Sequence, residues 1–177
     1  EKTKKFFKSE EEKIYNNIKK ETGIKIDASD IYTAASLQKV FDKLGEKYEY
    51  TEKNKQAKIS NEAMKDSENP LIQSISVARE YNKAHTTFID SILKHNVDGR
   101  IHAEINQLKS EFGGTVSGRL SMNNPNLQQV PSRNEIIGPK IRSLFLPEKE
   151  EKWVSLDYSQ QEPRLLVHYA KKHDLEG

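Results

Sequence analysis

The stretch from Pro70 to His95 constrains the fold more than any other. Leu71, Ile72, Ile75, Val77, Ala78, Tyr81, Ala84, Phe88, Ile89 and Ile92 form a broad apolar stripe at helical spacing, and Pro70 suits the first turn. One long helix over 70–95 follows. Tyr81 and Phe88 read as core residues of that helix rather than as a platform for stacked bases. Around it, Phe7, Tyr15, Ile14 and Ile18 predict a charged amphipathic helix over 1–23, with Gly23 as its C-terminal cap. "IKIDASD" reads as a short extended piece. Ala35, Leu37, Val40, Phe41 and Leu44 make one face of a second helix stopped by Gly45.

Residues 46–62 are polar and lysine-rich, without a period. They predict a loop ending at Ser60, which caps a short helix over 61–67. The lysines suit a solvated loop, or a tip that touches phosphates. After the Asp98-Gly99 turn the texture changes. "RIHAEIN" alternates, "RLSM" does so more briefly, and "IRSLFLP" and "KWVSLDYS" read as strands. A last helix is expected over about 161–175. The expected class is therefore α+β. A helical region over 1–97 precedes a mixed region over 98–177.

Composition removes several function classes. Of 177 residues, 34% are hydrophobic and 32% charged, as in a helix-rich protein with long solvated faces. A net charge of +2 is too small to show a nucleic-acid partner by itself. With no cysteine there is no disulfide, thiolate metal site or cysteine nucleophile. No apolar run approaches a membrane span, and no signal peptide is visible, so a membrane partner is not expected; the lack of cysteine is compatible with a reducing cytoplasm. The start at Glu1 rather than Met suggests a fragment or a processed product.

Two stretches concentrate chemistry. Residues 113–133, "GGTVSGRLSMNNPNLQQVPSR", set Arg119 among Asn123, Asn124, Asn126, Gln128 and Gln129. Amides and a guanidinium suit minor-groove acceptors and sugar oxygens, which differ little between base pairs. The same residues also suit a polar surface loop of Asx turns. The second stretch is "SLDYSQQEPRLLVHYA", residues 155–170. Asp157 ends an apolar run, and its hard oxygens suit Mg²⁺. A lone Asp equally suits a cap or turn, and one carboxylate does not complete a two-metal site.

Together these stretches resemble DNA polymerases of the A family. "DYSQQEPRLLVHYA" is similar to motif A, commonly DYSQIELR, and "SGRLSMNNPNLQQVP" to the TGRLSS-DPNLQNIP segment. "GRIHAEINQ", "KIRSLFLP" and "IDASDIYTAASLQKVFDKLG" resemble further segments in the right order, and the 70–95 helix takes the place of the thumb's main helix. The resemblance implies a mainly helical thumb, then the beginning of an antiparallel-sheet palm.

Site roles follow from the same resemblance. Asp157 and the carbonyl of Tyr158 match ligands of the two catalytic Mg²⁺ ions. Glu162 matches the glutamate that crowds a ribose 2′-hydroxyl. Arg164 and His168 match the arginine and histidine that follow. Arg119, Asn126 and Gln128 match residues at the primer–template minor groove, and Arg133, Lys140 and Arg142 fall at basic positions facing phosphates. The implied partners are primer–template DNA, a dNTP, and the remaining palm and fingers of a longer chain. The implied setting is the cytoplasm of a bacterium or a phage-infected host.

Some positions depart from the family pattern. Gln161 and Pro163 replace the Ile and Leu beside the gate, Gln129 replaces an Asn, and "LKSEFGGTVS" is longer than the usual loop. These resemble a phage-encoded subtype. Pro163 lacks an N–H, so a helix starting nearer Gln161 than Ser159 is expected. The nucleotide-binding fingers helix and the His-Asp-Glu turn with the second metal-binding aspartate have no counterpart here. The 177 residues are therefore expected to extend no primer by themselves. The alternatives are a single-subunit RNA polymerase, against which Glu162 argues, a stand-alone DNA-binding module and a helical interaction protein.

Overall fold

A computed structural model describes residues 1–53 and 55–173. It divides into two compact units, Glu1–Leu144 and Phe145–Gly177. The class is α+β: helices dominate, with three two-stranded antiparallel sheets among the described residues. No helix among those residues is long and apolar enough to cross a membrane.

In the first unit, α1 runs Lys2–Thr22 and ends on Gly23 in the left-handed region. α2 runs Ala34–Leu44 and ends the same way on Gly45. Strands β1 (Glu49–Tyr50) and β2 (Ala57–Lys58) pair as a short hairpin inside the stretch expected to be loop. Tyr48 and Tyr50 lie 5.4 Å apart by ring centroid there, and Lys58 pairs with Glu49 across the ladder at 3.1 Å. The Glu49–Lys58 pair lies across the ladder, and the Tyr48–Tyr50 contact lies along one side of the hairpin. α3 (Asn61–Lys65) is capped by Ser60, whose hydroxyl accepts from the Ala63 N–H at 3.1 Å.

The long helix is continuous but not uniform. α4 (Pro70–Lys83) leads through a π-helical turn, Ala84–Ile89, into α5 (Asp90–Lys94). Ile72, Ile75, Ala78, Tyr81, Ala84 and Ile89 are buried, whereas Val77 and, on α2, Ala35 face solvent instead of joining the core. One core cluster joins Ile18, Ile31, Leu37, Val40, Phe41, Met64, Ile72 and Ile75. A second joins Phe7, Tyr81, Ala84, Ile89, Ile137 and Ile141.

A buried polar group ties α1 to the long helix. The Glu11 carboxylate accepts from Asn82 Nδ2 at 2.9 Å and from the Tyr15 hydroxyl, and lies 2.5 Å from His85 Nε2. Burial, then the bond to Glu11, pushes the Tyr15 hydroxyl far above its ordinary value. His85 lies within the π-helical turn.

Strands β3 (Asn96–Val97) and β4 (Arg100–Ile101) pair around the Asp98-Gly99 turn. β5 (Glu104–Asn106) pairs with β6 (Ser121–Asn123) in the register Glu104–Asn123, Ile105–Met122 and Asn106–Ser121. Two expected strands are corrected. "IRSLFLP" forms no strand: its Ile141 and Arg142 end α6, Ile137–Arg142, because Ile137 and Ile141 at helical spacing both bury in the second core cluster. The side chain of Asn134 accepts from the Ile136 and Ile137 N–H groups at 2.9 and 2.8 Å and starts that helix.

In the second unit, "KWVSLDYS" forms no strand. Trp153, Val154, Leu156 and Tyr158 are all exposed, and among the described residues no segment forms a ladder with it. A strand needs a partner for its N–H and C=O groups, which apolar alternation does not supply. α7 covers Gln161–Lys172, and the remainder of the expected 161–175 helix beyond His173 lies outside the described residues.

Candidate active site and duplex-binding segment

Local chemistry sets the start of α7. Gln160 takes left-handed geometry, φ 52° and ψ 44°, and the first helical bond runs from Arg164 N to Gln160 O at 3.1 Å. Pro163 thereby falls in the first turn, where its missing N–H had no helical partner to lose. Ser159 makes no capping bond, so the helix begins at Gln161 as the proline requires.

Asp157, Tyr158, Ser159, Gln161, Arg164, Leu165 and His168 line one cavity of about 520 Å³ in the second unit. Arg164 and His168 lie one turn apart on α7 and so share a face. The cavity thus brings together one carboxylate, a guanidinium and an imidazole on a short stretch of chain. Of the expected residues, Glu162 is exposed in the first turn of α7 and is not among those lining this cavity. Ser159 and Gln161 line it without having been assigned a site role from sequence. Their positions flanking the helix start were the available signal.

No group of three or more His, Cys, Asp or Glu suited to a metal occurs among the described residues. Asp157 and the Tyr158 carbonyl nevertheless offer two hard oxygens. That donor set fits Mg²⁺, which ordinarily completes its shell with water and substrate phosphates.

The other expected residues belong to the first unit. Asn126 accepts from the Gln128 N–H at 3.1 Å and caps a short 3₁₀ turn, Leu127–Gln129. Gln128 Nε2 donates to the Leu120 carbonyl at 3.0 Å. The Arg119 carbonyl accepts from Thr115 Oγ1 at 2.7 Å. These bonds fix the backbone path of the amide-rich segment. Arg133 and Arg142 are exposed, and Lys140 Nζ sits 4.1 Å from the centroid of the Phe6 ring.

Sequence reasoning missed the support behind this segment. Glu104 accepts from Asn123 Nδ2 at 2.8 Å and Asn124 Nδ2 at 3.1 Å, and Asn106 Nδ2 donates to Asn123 Oδ1 at 2.6 Å. The alternation of "HAEIN" opposite "SMN" was the signal for this cross-strand set.

The model of "DNA polymerase family A" matches residues 1–176, and the chain belongs to that family. Among its relatives, a DNA-directed DNA polymerase of Pseudomonas phage M6 is 37% identical over 84% of this chain and 23% of its own length. DNA polymerase DpoZ of Vibrio phage phiVC8 is 39% identical over 66% of this chain and 18% of its own. Thermostable DNA polymerase I of Thermus aquaticus is 37% identical over 77% of this chain and 16% of its own. The solved POL domain of Pol1 from M. smegmatis, in complex with DNA primer-template and dNTP, matches with a TM-score of 0.63 and 25% identity. That match covers 81% of this chain and 24% of the other. The chain therefore spans about a quarter or less of the length of these relatives.

Proposed function

We propose that this chain is the duplex-gripping and motif A portion of a template-directed DNA polymerase. The parent reaction joins a dNTP to a primer 3′-hydroxyl with release of pyrophosphate. The observation that carries the reading is the grouping of Asp157, Tyr158, Arg164 and His168 around one cavity in a chain of this family. Residues 1–97 act as the thumb and 98–177 as the first part of the palm. Compactness divides the chain elsewhere, after Leu144, because Ile137 and Ile141 pack into the helical core.

Each residue has a task in this reading. Asp157 and the Tyr158 carbonyl would hold Mg²⁺, which would supply stabilisation of charge on the reacting oxygens. Arg164 and His168 offer donors from one face of α7 to anionic groups entering the cavity. Glu162 stands in the first turn, where its side chain crowds a ribose 2′-hydroxyl and excludes ribonucleotides. Arg119, Asn126 and Gln128 meet the minor groove, while Arg133, Lys140 and Arg142 meet phosphates. Lys140 leaves the Phe6 ring to do so, and the cost is small because an exposed cation–π contact is worth only about 0.5–1 kcal/mol. The 177 residues by themselves bind primer–template duplex at most and extend no primer. The cytoplasm of a bacterium or a phage-infected host is the setting.

In the full-length parent, Asp157→Ala should cut incorporation by roughly a thousandfold or more with duplex affinity retained. Wild-type incorporation in that variant would refute the assignment. Glu162→Ala should admit ribonucleotides, and unchanged sugar selectivity would remove the gate role.

A further inference from the structure

Glu104 is an acidic side chain beside a segment assigned to a polyanion, and its carboxylate is taken up by that segment's own amides. It opens β5 directly opposite Asn123 on β6. One oxygen, Oε2, accepts from Asn123 Nδ2 at 2.8 Å and from Asn124 Nδ2 at 3.1 Å.

This arrangement fixes which way each amide points. A carboxylate only accepts, so both asparagines must turn their nitrogens toward Glu104. Asn123 then turns Oδ1 to Asn106, whose Nδ2 donates to it at 2.6 Å. Asn106 is itself held in place: a Cβ at Gly113 would stand 2.9 Å from its Cγ, so only glycine lets the chain pass there. Asn124 differs from Asn123. It is exposed, and its backbone takes the left-handed region at φ 48°, which asparagine tolerates. Its Oδ1 has no hydrogen-bond partner among the described residues. With its nitrogen side against the carboxylate, Asn124 turns an acceptor away from Glu104.

An acceptor is selective in a minor groove. Base edges offer acceptors there at every base pair, and these suit the donors of Arg119. Phosphate oxygens of the backbone only accept. The one base donor in that groove is the 2-amino group of guanine. The negative charge of Glu104 behind the amide also disfavours a phosphate at the same place.

We propose that Glu104 is a positioning residue for specificity. It holds Asn124 so that Oδ1 accepts from a guanine 2-amino group, which favours a G·C pair at that point of the duplex. The inference rests on the minor-groove reading of this segment given above and adds base discrimination to it.

The test measures duplex affinity of the full-length parent by fluorescence anisotropy. Guanine is replaced by hypoxanthine, which lacks only the 2-amino group, one position at a time near the primer end. At one position the wild type should lose affinity about threefold to tenfold, the range of one hydrogen bond. Glu104→Ala and Asn124→Ala should each bind the guanine and hypoxanthine duplexes alike. Glu104→Gln keeps an acceptor oxygen and should retain part of the penalty. Any weakening of the duplex itself is common to all these proteins and cancels in the comparison, and equal melting temperatures establish that each variant folds. A wild type indifferent to hypoxanthine at every position overturns the proposal. So does a folded Glu104→Ala variant that keeps the full penalty, or a Glu104→Gln variant as indifferent as Glu104→Ala, which would assign the effect to charge. If Glu104→Ala does not fold, Asn124→Ala decides by the same comparison. Failure of the wild-type parent to bind duplex would refute the underlying reading, a distinct outcome.

Discussion

Phe7 and Leu166 are both large apolar residues on helices, and they sit in opposite surroundings. Phe7 is fully buried among Tyr81, Ala84, Ile89, Ile137 and Ile141 in the first unit. Leu166 is 71% exposed on α7 of the second, where no described residue is buried. The first unit is held by burial of side chains that come from distant parts of the chain. The second is held by local backbone bonds and the geometry of a helix start. Stability is thus set in one region, and the chemistry-bearing cavity lies in the other.

The sharpest way to break this contrast is a matched pair of truncations. Phe7→Ala should cost about 3–5 kcal/mol through lost burial and the cavity left behind. Leu166→Ala should change stability by less than about 0.5 kcal/mol. Denaturant unfolding of the 177-residue chain reads both, and a large cost at Leu166 would mean that α7 is packed in solution. Next in size is Glu11→Ala, which strands Asn82 and His85 in the interior and should cost about 2–4 kcal/mol. Glu11→Gln keeps an acceptor and should cost less. Equal losses for the two would show that charge, not hydrogen bonding, holds α1 to the long helix.

Two serines sharpen the comparison at helix starts. Ser60→Ala removes the cap of α3 and should cost about 1 kcal/mol. Ser159→Ala, before α7, should cost no more than a few tenths of a kcal/mol because that helix starts without a side-chain cap. Thermal melts distinguish the two.

The smallest effect concerns acid. The Ser29 hydroxyl and N–H, then the Asp30 N–H, donate to Asp27 and hold its carboxyl below the usual range. A depressed folded value stabilises the fold above the ordinary carboxylate range, and that contribution fades as pH falls through the folded value. Asp27→Asn should therefore flatten the acid limb of a melting-temperature profile slightly. An unchanged limb would place the acid sensitivity elsewhere.

Much of the first unit was legible because its punctuation is local. Gly23 and Gly45 end their helices at φ 75° and 71°, Ser60 caps, and Pro70 opens the long helix. Pro163 placed the start of α7 at Gln161 by the same kind of reasoning, since a missing N–H is tolerated only in a first turn. The motifs around Arg119 and Asp157 carried the family for a similar reason, being continuous in sequence.

What failed to show in the sequence depended on partners far along the chain. "IRSLFLP" reads as a strand, but the space beside Phe7 and Tyr81 took its Ile141, together with Ile137 ahead of it, as one face of α6. Trp153 to Tyr158 alternate as well, and no described neighbour turned that pattern into a ladder. Glu11 reads as one more charge on a solvated face, and its burial follows from Asn82 and His85, residues 71 and 74 positions away. Capping and turn chemistry is decided within a few residues, so the sequence by itself determined where α1, α2, α3 and α7 begin or end, though not that α6 forms. Burial and strand pairing are decided by whichever surfaces meet, so only the tertiary structure settled which apolar patterns became core and which charges went inside.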